Sequence, residues 1–186
     1  PQLLKKMTSN ILDSVHIIMN MLDKIHQFSK ASSFNFEKEV VEPENFVYEI
    51  INMSKNRFGS NNVHVVVNNL HPVLGEKTLL YQLFLNRIGN AIKYSSKVDS
   101  SLVTVDSFTT DNGIIYTVSD NGIGIEEEEL TSIYEMFKRM SNSSGYEGSG
   151  IGMSIVKRIA DKLGIDITIK SKIGTGTCVK LMFPPK

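Results

Sequence analysis

The chain has 186 residues, 41% of them apolar and 22% charged, the balance of an ordinary soluble globular protein. Lysine plus arginine equal aspartate plus glutamate at 20 each, so no global field recruits nucleic acid or an anionic membrane. No apolar run approaches the roughly 20 residues of a membrane helix, and the polar start at Pro1-Gln2 lacks a signal-peptide pattern.

The single cysteine, Cys178, has no internal disulfide partner, which points to a reducing, cytosolic setting. The abrupt N-terminus reads as that of a fragment, and a sensor or membrane part upstream is compatible with it.

From Leu3 to Ser29 the pattern is helical. Leu4, Ile11, Ile18 and Ile25 recur every seven residues, with Val15 and Leu22 between them. One helix cannot bury that seam alone, so a partner helix is implied, and two-fold self-association is the commonest solution. The alternative is a helix folded back on its own chain. Ser29 to Ser33 then reads as a hinge.

An extended stretch over 35–41 is stopped by Pro43, and Glu44 to Lys55 reads as a helix with Phe46, Ile50 and Ile51 on its apolar face. Val63 to Val67 is a strand, Glu76 to Ser95 a strong helix. Strands over 102–108 and 114–119 meet at an Asp111-Asn112-Gly113 turn. Helix is predicted from Glu127 to Met140, a flexible segment from Ser141 to Gly150, and helix again to Lys162. Strands over 166–170 and 177–183 end the chain. This mixture of helices with a hairpin-rich C-terminal half predicts an α+β fold, a two-layer α/β sandwich.

Four elements carry chemistry. Asn86 and Asn90 stand one helical turn apart, with Lys93 and Tyr94 continuing the stripe. Oxygen donors suit magnesium and the ammonium offsets phosphate charge, although a solvated helix face would look the same. Asp120-Asn121-Gly122-Ile123-Gly124-Ile125 follows a strand. A carboxylate there belongs with a base or ribose, and the glycines admit a flat ligand closely, though Asp-Asn-Gly is also a common turn.

Gly148-Ser149-Gly150-Ile151-Gly152-Met153 opens a helix, whose free N–H groups favour anions such as phosphate. The segment before it could close as a lid. It is neither a Rossmann fingerprint nor a P-loop, since no strand leads into it and no Gly-Lys-Ser/Thr follows. Gly174-Thr175-Gly176-Thr177 alone would be a hairpin.

In this order the set resembles the N box, two glycine boxes and glycine-threonine box of the ATPase superfamily that includes histidine kinases, gyrase, mismatch-repair ATPases and a heat-shock chaperone. Ile133 to Arg139 resembles the F box of histidine kinases. The resemblance covers residues 44 to 186 and implies a Bergerat-type ATP-binding domain over 33–186. Residues 1–32 look like the second helix of a dimerisation hairpin plus its hinge.

The resemblance assigns roles. Asn90 would ligate Mg2+, with Asn86 and Lys93 supporting the phosphates as the catalytic set. Tyr94 would lie near the nucleotide. Asp120 would accept from the adenine amino group, in a pocket shaped by Gly122, Gly124 and Ile125. Gly148, Ser149, Gly150, Ile151, Gly152 and Met153 would meet the phosphates, Thr177 would assist at the base end, and Arg139 would reach the γ-phosphate when the lid closes.

Hydrolysing members typically carry glutamate where this chain has Asn86. A carboxamide cannot take a proton from water, so phosphoryl transfer to a side chain is favoured over hydrolysis. The departures from the family pattern are mild: Glu76 for aspartate, Met153-Ser154 for leucine-alanine, Cys178 for phenylalanine.

His16, His26, His64 and His71 all lack the acidic and basic-proline context of a phosphoacceptor. The expectation is a cytoplasmic histidine kinase fragment that binds Mg-ATP without autophosphorylating. Its parent would dimerise through the N-terminal helix and pass the phosphoryl to a response-regulator receiver domain. The alternatives are a nucleotide-binding regulatory module without kinase activity and a serine-directed kinase of the same superfamily.

Overall fold

The computed structural model describes residues 37–185. The expected dimerisation helix, its seam and the hinge lie outside the described residues. Three helices, α1 (Glu44–Phe58), α2 (Lys77–Ser95) and α3 (Gly152–Leu163), cover a five-stranded sheet. Its strands are β2 (His64–Val67), β4 (Leu102–Thr110), β5 (Gly113–Asp120), β6 (Asp166–Lys172) and β7 (Gly176–Phe183), in the order β2-β4-β5-β7-β6. Only β2 and β4 run parallel, and α2 lies in the crossover between them. Two short strands, β1 (Glu39–Val41) and β3 (Val73–Gly75), pair antiparallel as a second sheet.

The layers follow from the side-chain pattern. Val103, Val105, Tyr116, Val118, Val179 and Leu181 alternate along their strands and are buried under the helices. From α2, Leu80, Leu83, Phe84, Ile88 and Ile92 fill the interface, and from α3, Ile155, Ile159 and Leu163. Phe84 and Tyr116 meet edge-on at 5.1 Å, and Tyr116 meets Phe183 at 5.7 Å, which ties α2 to two central strands. This is the expected two-layer α/β sandwich.

The start of α2 is held by Glu76, whose carboxylate accepts from the N–H groups of Thr78 at 2.9 Å and Leu79 at 2.8 Å. The end of α1 is closed by Gly59 in the left-handed conformation, and that of α3 by Gly164.

Three expectations change. The strand β3 went unpredicted, being three residues long beside Pro72. The helix expected over Glu127–Met140 is instead a 3-10 turn over Glu127–Ser132 followed by irregular chain. Phe137 sits at φ 65° and its N–H donates to the Gly150 carbonyl at 3.1 Å, a geometry no α-helix accommodates. Ile133 is buried but Met136 and Phe137, which would share its helical face, are exposed. The expected flexible segment holds a 3-10 turn at Ser141–Ser143, and Tyr146 N–H bonds the Ser143 carbonyl.

Removing the cap should matter measurably. Glu76→Ala is expected to lower the unfolding free energy by about 1 kcal/mol, read as a lower urea midpoint with an unchanged slope.

Candidate functional site

The C-terminal end of α2 lies against the loop that leaves β5. The Tyr94 carbonyl accepts from Ile123 N–H at 3.2 Å. Gly122 makes that approach feasible, since a Cβ there would stand 2.6 Å from the same carbonyl oxygen. The contact brings the amide stripe of α2 and the carboxylate of Asp120 onto one cleft of about 910 Å³, its open mouth included.

Asp120 ends β5 at the inner end of the cleft. Its Oδ1 accepts from Gly122 N–H at 3.0 Å. Burial pushes its pKa up, opposed by that N–H, by the Arg87 guanidinium and by Thr177 N–H. Thr177 stands opposite Asp120 in the β5–β7 ladder, and its hydroxyl pairs with that of Ser171 at 2.7 Å. Ser171 also accepts from Ile125 N–H at 2.9 Å, fastening the loop after Asp120 to the sheet edge. Ile169 and Val179 add an apolar floor beside Gly124 and Ile125.

At the other end Asn90 and Lys93 project from α2. The Lys93 ammonium lies 4.0 Å from the Tyr94 ring centroid, and a Cβ at Gly148 would stand 3.1 Å from it. Gly148, Ser149, Gly150, Gly152 and Met153 form the facing wall, with the start of α3 behind them. The Ser149 hydroxyl and the Asn142 side-chain oxygen are buried without a protein partner, and both residues line the cleft.

Thirteen of the sixteen expected site residues therefore line one cleft, and three do not. Asn86 lies behind the wall. Its Nδ2 donates to the Gln82 carbonyl at 2.8 Å, and its Oδ1 would be 3.0 Å from a Cβ at Gly152. Gly122 acts by close approach rather than as lining. Ile151 is fully buried in the core, where it anchors the start of α3. Arg139 lines the cleft and donates to the Ser143 carbonyl at 2.7 Å and the Tyr146 carbonyl at 2.5 Å, so it braces the lid segment. Lys97 reaches the Gly145 carbonyl from α2's side, and the Tyr94 and Tyr146 rings meet edge-on at 5.3 Å.

Sequence reasoning missed Arg87, Ser171, Asn142 and Lys138. Arg87 stood within the N-box stretch, and its charge among apolar helix positions was the available signal. Ser171 and Asn142 gave none, because their roles depend on which backbone the fold brings near. For magnesium the described residues hold no cluster of three or more histidine, cysteine or acidic ligands. A single carboxamide such as Asn90 still suits Mg2+, an ion that keeps waters and takes most of its ligands from phosphates.

Comparison with known proteins bears on this geometry. The profile described as histidine kinase-, DNA gyrase B-, and HSP90-like ATPase matches residues 75–186. An uncharacterised sensor-like histidine kinase of Rhizobium meliloti is 36% identical over 121 residues, which are 64% of this chain and 23% of that protein. The sensor-like histidine kinase SenX3 of Mycobacterium bovis is 34% identical over 150 residues, 77% of this chain and 36% of SenX3. The chain thus spans well under half the length of these relatives.

Among solved structures, mycobacterial sensor histidine kinase MprB superposes with a TM-score of 0.69 at 24% identity, covering 78% of this chain and 97% of that one. Full-length ShkA, solved with AMPPNP, superposes with a TM-score of 0.75 at 20% identity, covering 92% and 36%. Both share the fold. With the profile spanning most of the described residues, the chain belongs to the histidine kinase-, DNA gyrase B- and HSP90-like ATPase family.

Proposed function

We propose that the chain is the Mg-ATP-binding catalytic domain of a two-component sensor histidine kinase. The observation that carries the reading is the single cleft with a half-buried carboxylate, Asp120, at one end and Asn90, Lys93 and the glycine wall at the other. Asp120 accepts from the adenine amino group. Lys93, Asn90 and the N–H groups at the start of α3 hold the phosphates. Asn90 would help hold a Mg2+ ion, which would supply charge neutralisation for the phosphates.

A histidine nitrogen then attacks the γ-phosphorus, and the bond to the β–γ bridging oxygen breaks to release ADP. Positioning and charge neutralisation are the chemistry asked of the domain. Asn86 favours this outcome over hydrolysis, since neither its chemistry nor its hydrogen bond to Gln82 suits a base for water.

Residues 1–32 supply a dimerisation helix and hinge in this reading, and the parent protein is a homodimer. It passes the phosphoryl group to an aspartate of a response-regulator receiver domain on the cytoplasmic side, with any membrane anchor upstream. The acceptor histidine is on another helix. Of the candidates here, His71 binds Ser107 through its ring at 2.8 Å, and His64 begins β2.

Three outcomes test the reading. With radiolabelled ATP and Mg2+, the chain should not label itself but should label a separately supplied histidine-bearing helix of a cognate kinase. Steady phosphate release without such labelling would support hydrolysis instead.

By calorimetry, Asp120→Asn and Asn90→Asp should each weaken ATP binding by at least about tenfold, the worth of a charged hydrogen bond, with the fold intact. Wild-type affinity in both variants would reject the site.

The raised pKa of Asp120 sets a pH dependence. An acid whose folded pKa lies above its unfolded value costs stability once both states are ionised, and that cost fades as pH falls through the folded pKa. Asp120→Asn should therefore leave the neutral-pH melting temperature unchanged or raised. Wild-type ATP affinity should fall as pH drops from neutrality, earlier than for an ordinary carboxylate, and the Asn variant should lack that component.

A further inference from the structure

Arg87 is a buried cation on the cleft wall that the proposed chemistry leaves unused. It lies on α2 one turn before Asn90 and is 4% exposed. Its Nη1 approaches the Met153 sulfur at 3.6 Å, a weak acceptor. Its Nε and Nη2 are buried and meet no hydrogen-bond partner. Guanidinium stays charged in proteins, so two stranded N–H groups carry a desolvation cost that no protein hydrogen bond offsets. Asp120 exerts the strongest favourable field on it, and both residues line the same cleft.

Resting on the nucleotide reading above, we propose that Arg87 is a second base-reading residue, donating to a ring nitrogen of adenine beside the 6-amino group that Asp120 holds. The chemistry is complementary group by group. An ionised carboxylate only accepts and a guanidinium only donates. Adenine offers an amino donor flanked by two acceptors, N1 and N7. A base bound to Asp120 through its amino group therefore turns a ring acceptor toward a neighbouring donor, and it satisfies the N–H groups that the protein leaves bare. The charge of Arg87 also favours the ionised form of Asp120 that the amino group requires.

The test compares ATP, 1-deaza-ATP and 7-deaza-ATP by calorimetry on wild type and Arg87→Met, with nucleotide-free melting temperatures alongside. One deaza analogue should bind wild type about tenfold or more weakly than ATP. That gap should close in Arg87→Met, whose ATP affinity falls to the analogue's level while its nucleotide-free melting temperature does not drop. Arg87→Lys serves as the second variant if methionine prevents folding, and it should also narrow the gap.

Two deaza analogues binding wild type as well as ATP would overturn the assignment. So would unchanged ATP affinity in Arg87→Met. An equal loss for all three nucleotides would place Arg87 on the phosphates, or in a structural role if the melting temperature also falls, and either overturns it. Wild type binding no nucleotide at all would instead reject the reading of the cleft itself.

Discussion

The contact between the last turn of α2 and the loop after β5 governs the rest of the molecule. The Tyr94 carbonyl bonds Ile123 N–H, and the backbone of residue 122 comes so near that a side chain there has no room. Because α2 is rigid and its inner face is fixed by Phe84, Ile88 and Ile92 in the core, this one contact sets how far Asn90 and Lys93 stand from Asp120. The β5–β7 register then carries Thr177 to Asp120, and Ser171 stitches the loop to the neighbouring strand. A loop able to drift from α2 would separate the two ends of the cleft.

The segment between the glycine wall and the 3-10 turn at Glu127–Ser132 is built by different means. It has few buried apolar side chains and is held largely by polar contacts: Arg139 and Lys97 to its carbonyls, Asn142 to the Gly124 carbonyl, and Glu129 to Ser141. Such contacts exchange with water at little net cost, so this is the part of the cleft best suited to opening and closing. Arg139 is engaged in that bracing, and reaching a phosphate would require it to release the Ser143 and Tyr146 carbonyls.

Electrostatically the cleft is a compromise between stability and binding. Burial raises the pKa of Asp120 and lowers that of Arg87, and each partly relieves the other. Unpartnered polar atoms on Ser149, Asn142 and Arg87 add to the cost. A core of the same volume lined with apolar groups would be more stable and could recognise nothing polar.

Much of this was legible in the residues themselves. The helical period of 77–95, the alternation in the long strands and the Asp-Asn-Gly turn specify local structure through short-range sterics and burial, so the sandwich and four motif positions could be read directly. The helix expected over 127–140 failed because propensity saw acidic and apolar helix formers, whereas Phe137 was pinned at positive φ by a bond to Gly150, thirteen residues on.

Asn86, Ile151 and Gly122 share motifs with the cleft residues but do not line the cleft: Asn86 bonds its own helix, Ile151 is in the core, and Gly122 gives the loop room to approach α2. Arg87 and Ser171 gained their surroundings only when distant strands and helices met. Composition and periodicity determined the long helices and strands. Which side chains share a cleft was settled by packing and ladder register, interactions between residues far apart that no local pattern encodes.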